Sequence, residues 1–433
     1  MGGWPRSSSD GVEGAIEEAS KGDMIPTQGA KGRIAWCVSP ILSGVTTVYR
    51  VVGGGLRRAG WDVVAVTAGA QSARLADPLF ALESFELLLP GSTDVRRNAA
   101  EFVRWVEERK IDVVFCTGQR FTLAAAPALP PRVRLITRVG NMTRHGYEMA
   151  VVNLSTTSKV VVETPREYQD MVGDWRVPGE KCVMIPGGIE VEKYSPGTIR
   201  DPQGSLRLIY LGRLDEDQKA VMLLPRIARH LVAAGVEFHL DIIGDGPDRE
   251  RLERAFASAP LNAHVTFHGT MRREEVLPFL QRAHLFVLPT RYEGVSWALL
   301  ETMACGCVPI VSRIAGTTDF VVDEGVNGRL CTVGKASAFA HAIADLAGDR
   351  KRLATLSRAA GQTVRERFSL ERVVKDHDVL LEALLAQEPL AYTPIPVSEI
   401  QLPKLSRPRW RRLVPQSVKN YVRTWTERFR WTV

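Results

Sequence analysis

Two glutamates, Glu293 and Glu301, stand eight residues apart in the stretch of the sequence that is densest in residues able to do chemistry. The apolar run before them predicts a strand that ends at Pro289, and Ser296 is a favoured residue type for a helix start. The connecting loop therefore lies at the carboxyl end of a parallel strand, where open α/β sheets bind ligands. Carboxylates accept hydrogen bonds from hydroxyls and free helix N–H groups attract anions, so the stretch suits a nucleotide sugar.

Taken alone, each glutamate is more typical of a solvated surface, and two basic residues upstream strengthen the interpretation. Arg213 follows a predicted strand end at Gly212, where a ligand can approach the backbone unhindered, and Lys219 opens the next predicted helix. Two cations beside one diphosphate stabilise the negative charge that develops on a departing nucleotide. Either cation alone is typical of a surface charge, but their joint placement favours a diphosphate site.

Other ligand classes fit the sequence less well. Gly244 and Gly246 begin like a dinucleotide fingerprint, but Arg249 occupies the position of its third glycine. The glycines of Gly53–Gly55 lack that spacing and indicate close helix packing. The six cysteines are scattered through apolar segments without a Cys-x-x-Cys pair. We therefore expect reduced thiols in a cytoplasmic protein, no bound metal, and no cofactor beyond a nucleotide diphosphate sugar that serves as donor substrate.

Elements able to position these residues recur along the chain. From Arg33, short apolar runs alternate with amphipathic helical stretches, and the alternation restarts after the turn-rich segment Tyr194–Pro202. Strands separated by helices imply right-handed crossovers and parallel sheets covered on both faces. Two such blocks predict an α/β protein of two Rossmann-like, doubly wound domains that face each other across a cleft.

These residues belong to five ordered motifs that resemble the retaining GT-B glycosyltransferases of family 4. The resemblance is clear from Pro178 to Leu330, weaker from Arg33 to Val162, and absent at both ends of the chain. It implies the GT-B fold and a hexosyl transfer. We expect this transfer to be metal-independent, because no Asp-x-Asp cluster stands directly at a predicted strand end to hold a metal. The motifs are Ile185–Glu190, Tyr210–Leu214 with Lys219, Ile243–Pro247, Glu293 with Glu301, and Met303–Gly306.

The resemblance also implies roles for individual residues. In that family, the residues that match Arg213 and Lys219 hold the donor diphosphate. The residue that matches Glu293 contacts the donor sugar, and the one that matches Glu301 binds the ribose hydroxyls. We therefore expect Arg213, Lys219 and Glu293 to be catalytic. The residues expected to bind the donor are Gly44, Gly212, Gly294, Val295, Ser296 and Glu301.

The first block departs from the family pattern in two places. Gly44 matches the core of a glycine-rich loop, whereas the two residues before it, Leu42 and Ser43, replace the more common double glycine. Many relatives carry a histidine after the strand that ends here near Arg138. Arg138 or Asn141 is the candidate for cleft contacts at that place, and the histidine role is not transferred to His145.

The positive charge of the chain lies at its C-terminal end. Pro403–Val433 holds nine basic residues and one acid, so the rest of the chain is close to neutral although the whole carries +7. A helix over 416–430 would align an apolar stripe with basic flanks, which is typical of a helix that lies on an anionic membrane. Packing back on the first domain is the open alternative, and nucleic-acid binding is not expected. The stripe comprises Val418, Tyr421, Val422, Trp425 and Phe429.

Together these features predict a cytoplasmic, peripherally membrane-bound retaining glycosyltransferase that moves a sugar from a nucleotide diphosphate to a saccharide or lipid-linked acceptor. Polysaccharide, lipopolysaccharide or glycolipid synthesis is the expected setting. A non-catalytic scaffold or binding subunit and a nucleotide-sugar epimerase on the same fold stay open as alternatives. The predicted segments are a disordered 1–30, an acceptor domain 31–200, a donor domain 201–368, a returning helix 369–387 and a basic tail 388–433.

Overall fold

The computed structural model describes residues 29–39, 44–69, 85–139, 142–196, 204–257, 261–403 and 414–429. The predicted disordered segment 1–30 lies outside the described residues except for its last two, and so do Leu42, Ser43 and Asn141. Within the described residues the chain forms one seven-stranded and one six-stranded sheet. Every strand pairing within them is parallel.

The first sheet has the order β3-β2-β1-β4-β5-β6-β7. Its strands are β1 Arg33–Cys37, β2 Asp62–Ala68, β3 Phe85–Leu88, β4 Val113–Cys116, β5 Arg134–Arg138, β6 Thr157–Val162 and β7 Cys182–Met184. Its helices are α1 Gly44–Val48, α2 Gly54–Arg58, α3 Val95–Glu108, α4 Arg120–Ala125, α5 Arg144–Val151 and α6 Pro165–Gln169. A π-helical turn, Tyr49–Gly53, joins α1 to α2, and another, Asp170–Asp174, follows α6.

The second sheet has the order β10-β9-β8-β11-β12-β13. Its strands are β8 Leu206–Leu211, β9 Phe238–Ile243, β10 Val265–Gly269, β11 Leu285–Leu288, β12 Val308–Ser312 and β13 Arg329–Cys331. Its helices are α7 Glu216–Lys219, α8 Leu224–Ala233, α9 Arg249–Phe256, α10 Arg273–Arg282, α11 Trp297–Ala304, α12 Thr318–Val321, α13 Ala336–Gly348 and α14 Arg350–Arg367. Two further helices follow this domain, α15 Leu370–Ala386 and α16 Gln416–Phe429.

Strands β4 and β11 are apolar throughout and do not alternate apolar with polar residues, which fits sheets that are covered by helices on both faces. All four residues of β4 and all four of β11 are buried, as is expected where helices pack on each side of a parallel sheet. In the first core, the rings of Trp36 and Phe115 stack with centroids 4.5 Å apart. The second core is formed in the same way around β8, β11 and β12.

Three strands lack an apolar run long enough to be predicted from the sequence. β3 and β7 form the two edges of the first sheet, and β13 forms one edge of the second. Each has four residues or fewer and includes partly exposed positions. An edge strand buries less side-chain surface and therefore carries a weaker hydrophobic signal.

Helix α15 returns the chain from the second domain to the first. A Cβ atom at Gly55 would lie 2.2 Å from Cγ2 of Val374, so the glycine permits close packing of α2 on α15. His377 lies buried on the same helix, with Nδ1 2.8 Å from the Val373 carbonyl oxygen. Burial lowers its pKa to about 4, as expected for a neutral core histidine. The contact confirms the packing role predicted for Gly53–Gly55.

Helix α16 lies mainly against the second domain rather than the first. Asn420 Nδ2 donates to Asp217 Oδ1 at 3.0 Å, and the Arg423 guanidinium lies 3.8 Å from the centroid of the Tyr292 ring. Glu427 reaches the first domain, 3.7 Å from Arg166. Among the described helices, none combines the length and the apolar character needed to cross a bilayer.

Candidate active site

Lys219 and Glu293 meet where two neighbouring strands of the second sheet end. The Lys219 Nζ lies 2.5 Å from Glu293 Oε2, and Gln218 Nε2 lies 3.5 Å from Glu293 Oε1. Both side chains of the ion pair are largely buried, with 15% and 10% of their surface exposed. A buried pair of opposite charges that faces a cleft can exchange partners when a charged ligand enters.

Hydrogen bonds between α7 and the loop after β11 hold this pair together. The Arg291 N–H donates to the Gln218 carbonyl at 2.8 Å, and the Arg291 side chain pairs with Glu216 at 2.6 Å. Asp215 caps α7 by accepting from the Gln218 N–H at 3.0 Å. Ala220 then leaves the helix with φ of +51°, a left-handed conformation that is strained for a residue other than glycine. Lys219 is thus fixed at the end of a one-turn helix.

Arg213 lies nearby but is not part of the ion pair. Its side chain is 66% exposed and its guanidinium lies 3.4 Å from Asp215 Oδ2. Its backbone carbonyl accepts a hydrogen bond from the Tyr210 hydroxyl at 2.8 Å. Burial, together with the charges of Glu293 and Asp215, raises the pKa of Tyr210 well above its usual value. Tyr210 therefore stays a neutral donor that anchors the Arg213 loop beside Glu293.

One glycine-containing loop, the turn after β9, packs closely against the turn that carries Gly212 and Leu214. A Cβ atom at Gly244 would lie 1.9 Å from the Gly212 carbonyl oxygen, and one at Gly246 would lie 2.3 Å from the Leu214 carbonyl oxygen. Gly244 also has φ of +136°. The Gly-Asp-Gly stretch therefore lets the turns after β8 and β9 pack backbone to backbone, a role unrelated to dinucleotide binding.

Glu301 lies one turn inside α11, whose first turn is capped by Ser296. The Ser296 Oγ accepts from the Leu299 N–H at 3.4 Å. The Glu301 carboxylate forms an ion pair with Arg273 at the start of α10. The Arg273 guanidinium also lies 5.7 Å from the Tyr194 ring centroid. Burial and the Glu301 charge raise the pKa of Tyr194 above its usual value. Glu293 and Glu301 are thus each held by a separate cation.

The first domain supplies an acidic wall opposite Gly294. Arg138 at the end of β5 pairs with Glu163, which follows β6, and each side chain is only 8% exposed. A Cβ atom at Gly294 would lie 3.7 Å from Glu163 Oε2 and 3.7 Å from Glu167 Oε1. A Cβ atom at Gly187 would lie 3.7 Å from the Cβ atom of Val295. The loop that carries Glu293 therefore faces carboxyl groups of the other domain.

Glu167 is the most perturbed acid of this wall. It is fully buried, and its Oε2 accepts from the Glu163 N–H at 2.8 Å. Its Oε1 has no hydrogen-bond partner within the described part of the chain. Burial and the neighbouring Glu163 raise the pKa of Glu167 to about 8, although Arg138 lowers it. Glu167 is therefore a protonated acid at neutral pH.

Comparison with protein families decides the identity of the fold and family. Residues 205–349 match the family model described as Glycosyl transferases group 1, and residues 42–193 match the one described as Glycosyltransferase Family 4. The two matches together span more than half of the chain. The chain belongs to the family 4, group 1 glycosyltransferases. The family predicted from the sequence motifs is confirmed.

Curated members of this glycosyltransferase family share modest identity with the chain. WcaL of Escherichia coli K12, whose name assigns it to colanic acid biosynthesis, is 29% identical over 214 residues, which are 48% of this chain and 52% of WcaL. A GDP-mannose-dependent alpha-(1-6)-phosphatidylinositol dimannoside mannosyltransferase of Mycobacterium tuberculosis H37Ra is 27% identical over 60% of this chain and 65% of its own. The chain thus spans between half and two thirds of these relatives.

Solved structures confirm the GT-B architecture of this family member. A glycosyltransferase from Rickettsia africae ESF-5 superimposes with a TM-score of 0.68 at 15% identity, covering 83% of this chain and all of that one. Sucrose-phosphate synthase from Thermosynechococcus elongatus gives 0.66 at 20% identity, covering 82% of this chain and all of that one. The predicted pair of Rossmann-like domains is confirmed by this likeness.

The structure brings the predicted site residues together unevenly. Lys219, Glu293 and Gly294 lie at the cleft, Glu301 lies near it on α11, and Arg213 reaches into solvent beside Asp215. Gly44 begins α1, but the loop that leads to it lies outside the described residues. The structure places His145 on the exposed surface of α5.

Sequence reasoning missed the partners of the predicted residues. Arg273 and Gln218 contact the two predicted glutamates, and the Tyr194 ring lies beside Arg273. Glu163 and Glu167 face Gly294 from the first domain. Glu163 directly follows a buried strand, so the rule that ligands bind at carboxyl strand ends would have selected it. Among the described residues, no group of three or more metal-ligating side chains is placed to hold an ion.

Proposed function

We propose that the protein transfers a sugar from a nucleoside diphosphate sugar to an acceptor hydroxyl with retention of anomeric configuration. The observation that carries this proposal is the buried Lys219–Glu293 pair at the ends of β8 and β11, opposite Arg138 and Glu163 of the other domain. A bound diphosphate would take over the cation, which leaves Glu293 free to accept hydrogen bonds from sugar hydroxyls. Family membership and the names of the relatives support glycosyl transfer.

In this reaction the bond between the anomeric carbon and the β-phosphate oxygen breaks, and the bond from that carbon to the acceptor oxygen forms. The proton of the acceptor hydroxyl passes to the departing diphosphate. Lys219 and the exposed Arg213 stabilise the charge on the leaving group. Retention follows if the acceptor approaches from the face that the diphosphate leaves. Gly212, Gly294, Val295 and Ser296 offer backbone and hydroxyl contacts around the donor, and Glu301 binds its ribose.

The donor base is best identified by thermal shift with UDP, GDP and ADP sugars. The mannosyltransferase relative is named for GDP-mannose, whereas a structural neighbour from Anabaena was solved with UDP and glucose. A ligand at 100 times its dissociation constant adds about 2.7 kcal/mol of stability. We expect one nucleotide class to shift the unfolding temperature of the wild type and not of Lys219→Gln. The exposed pair Lys193–Glu190 supplies a matched control, Lys193→Gln.

Product analysis separates this proposal from its alternatives. With the matching donor, a transferase forms a new glycoside whose anomeric configuration can be read by NMR, and we expect it to match that of the donor. An epimerase releases a free altered sugar without an acceptor, and a scaffold subunit forms no product at all. Activity that survives a chelator supports the proposed metal-independent mechanism, whereas loss that is reversed by added divalent cations contradicts it.

We further propose a saccharide or lipid-linked acceptor and attachment to an anionic membrane through Pro403–Val433. Several apolar side chains of α16 stay half exposed or more although the helix is docked, including Tyr421 at 72% and Trp425 at 51%. Basic residues flank this stripe, and such a face suits the boundary between lipid headgroups and acyl chains. We expect the full chain to pellet with phosphatidylglycerol vesicles in a co-sedimentation assay. Protein that stays in the supernatant would contradict membrane attachment.

A further inference from the structure

A groove of about 770 Å³ lies between α16 and the second domain. One wall is formed by the tail helix through Tyr421 and Trp425. The other wall is formed by the segment that leads into α8, and by α8 and α9 themselves. The groove lies outside the candidate active site, although α7, which carries Lys219, borders it through Glu216 and Asp217.

The groove combines an apolar floor with unpaired positive charge. Met222, Leu223 and Pro225 supply apolar surface. Arg226 and Arg229 project from α8 with exposed side chains, and neither forms an ion pair with any residue in the described ranges. They stand three residues apart, so both lie on one face of the helix. A single phosphate could be bound by both guanidinium groups.

The other four charged residues of the groove have partners in the described part of the chain, although the partner of Asp217 is the neutral Asn420. Arg291 pairs with Glu216 at 2.6 Å. Asp217 accepts from Asn420 at 3.0 Å. Arg251 lies 3.6 Å from Asp248. Among the described residues, Arg226 and Arg229 therefore outnumber the single acid without a cationic partner, Asp217, and the uncompensated charge of the groove is net positive.

We propose that this groove binds the phosphate of an anionic phospholipid from the membrane surface. Arg226 and Arg229 bind the phosphate, while Tyr421 and Trp425 lie at the level of the glycerol and upper acyl chain. The charge complementarity of the arginines and the exposure of both aromatic rings on the same groove carry this assignment. It deepens the proposed membrane attachment and depends on it, but not on the proposed glycosyl transfer.

The site would set the orientation of the enzyme on the membrane. Helix α16 touches the active-site loops through Asn420, which binds the helix of Lys219, and through Arg423, which covers the ring of Tyr292 next to Glu293. A lipid held in the groove would therefore lie one helix away from the donor site. This arrangement brings the reacting centre close to acceptors that are anchored in the same leaflet.

The test compares two double variants of the full-length protein in vesicle co-sedimentation. Arg226→Gln/Arg229→Gln removes two cations from the groove, and Lys351→Gln/Arg358→Gln removes two exposed cations from α14, which does not line it. Each basic residue near an anionic surface is worth about 1 kcal/mol, so we expect the groove variant to bind phosphatidylglycerol vesicles roughly 30-fold more weakly. The control variant should lose less than threefold.

Three results would overturn the proposal. Equal loss in both double variants would show that net charge alone drives binding. Unchanged binding of the groove variant, with loss only in Tyr421→Ser/Trp425→Ser, would show that the helix inserts without the groove. A groove variant that weakens binding equally to phosphatidylglycerol and to phosphatidylcholine vesicles would show that the groove does not select an anionic phospholipid. Nucleotide-induced thermal shifts of the same preparations report separately on the donor site.

Discussion

The cleft has two walls, the first wall on the first domain and the second wall on the second domain, and they balance their charges differently. On the second domain each carboxylate has its own cation, Lys219 for Glu293 and Arg273 for Glu301. On the first domain Arg138 pairs with Glu163, and the buried Glu167 beside them forms no ion pair with any residue that the structure describes. The second domain holds two carboxylate–cation pairs, and the first domain contains an acid whose pKa is raised by burial.

This difference indicates what each wall can accept from a ligand. An ion pair can pass its cation to a phosphate when new hydrogen bonds, such as those from sugar hydroxyls, satisfy the carboxylate that is left behind. A second ionised acid on the first wall would instead repel a diphosphate bound across the cleft. Burial keeps Glu167 neutral at pH 7 and limits that repulsion. If a diphosphate binds as proposed, the two walls are complementary: the second domain supplies the cations, and the first domain adds little opposing charge.

Removal of the exchangeable cation should have the largest effect. We expect Lys219→Gln to lower turnover by about 10²-fold or more, because the leaving diphosphate loses a preorganised positive charge. Lys193→Gln breaks a similar lysine–glutamate pair on the surface and should keep full activity. Initial rates with the matching donor would measure both. A Lys219→Gln enzyme with wild-type turnover would show that the ion pair is only structural.

Backbone packing behind the second wall should give the next largest effect. Gly244→Ala places a methyl group 1.9 Å from the Gly212 carbonyl at a positive φ, so we expect a loss of roughly 3 kcal/mol in unfolding free energy. Gly235 also has a positive φ, +66°, but nothing lies within 4 Å of its Cβ position. Gly235→Ala should cost only about 1 kcal/mol. Equal losses in chemical denaturation would contradict the close approach of the two loops.

The protonated acid of the first wall should make stability depend on pH. The pKa of Glu167 is raised from 4.5 to about 8 in the folded chain. Its contribution to stability is therefore complete below pH 4.5 and is lost as the pH rises towards 8, by up to about 1.4 kcal/mol per pH unit. Glu167→Gln should lack this slope and gain stability relative to the wild type at pH 8.

Denaturation midpoints between pH 5 and pH 8.5 would measure the slope. Glu250→Gln, at a side chain that is 88% exposed, is the control and should follow the wild type. Glu163 and Arg138 are the charged groups that face Glu167, so both must be retained in the comparison. If Glu167→Gln kept the full wild-type slope, the acid would be ionised in the folded protein.

The two walls also differ in how far the sequence could predict them. Glu293 lies in the loop after β11, and Glu301 lies in the capped helix that follows. The strand, loop and helix pattern of this short stretch was therefore enough to select both residues. The contact of Lys219 with Glu293 joins residues 74 positions apart and depends on hydrogen bonds from Arg291 to α7. No local pattern contains that information, and only the adjacency of β8 and β11 in the sheet supplies it.

The acidic wall was harder to predict because its chemistry depends on burial. Glu163 and Glu167 follow a strand in a sequence that reads as an ordinary capped helix, Glu163-Thr-Pro-Arg-Glu167. They become buried acids at the cleft only because Gly294 of the other domain covers them. The two-domain fold was predictable since long apolar strands repeat on each side of one linker. The charge state of a side chain at the interface was not.

Removal of the helix caps on the two walls should have the smallest effect, and it should affect nucleotide binding on one wall only. Thr164 accepts from the Glu167 N–H at 3.1 Å, and Ser296 accepts from the Leu299 N–H at 3.4 Å. Loss of either hydroxyl costs about 1 kcal/mol of stability, so Thr164→Ala and Ser296→Ala should have similar unfolding midpoints. Only Ser296 caps the helix that carries Glu301, so Ser296→Ala alone should weaken nucleotide binding, by a few fold. Thermal-shift titrations would measure this, and equal weakening in Thr164→Ala would mean that both walls bind the nucleotide.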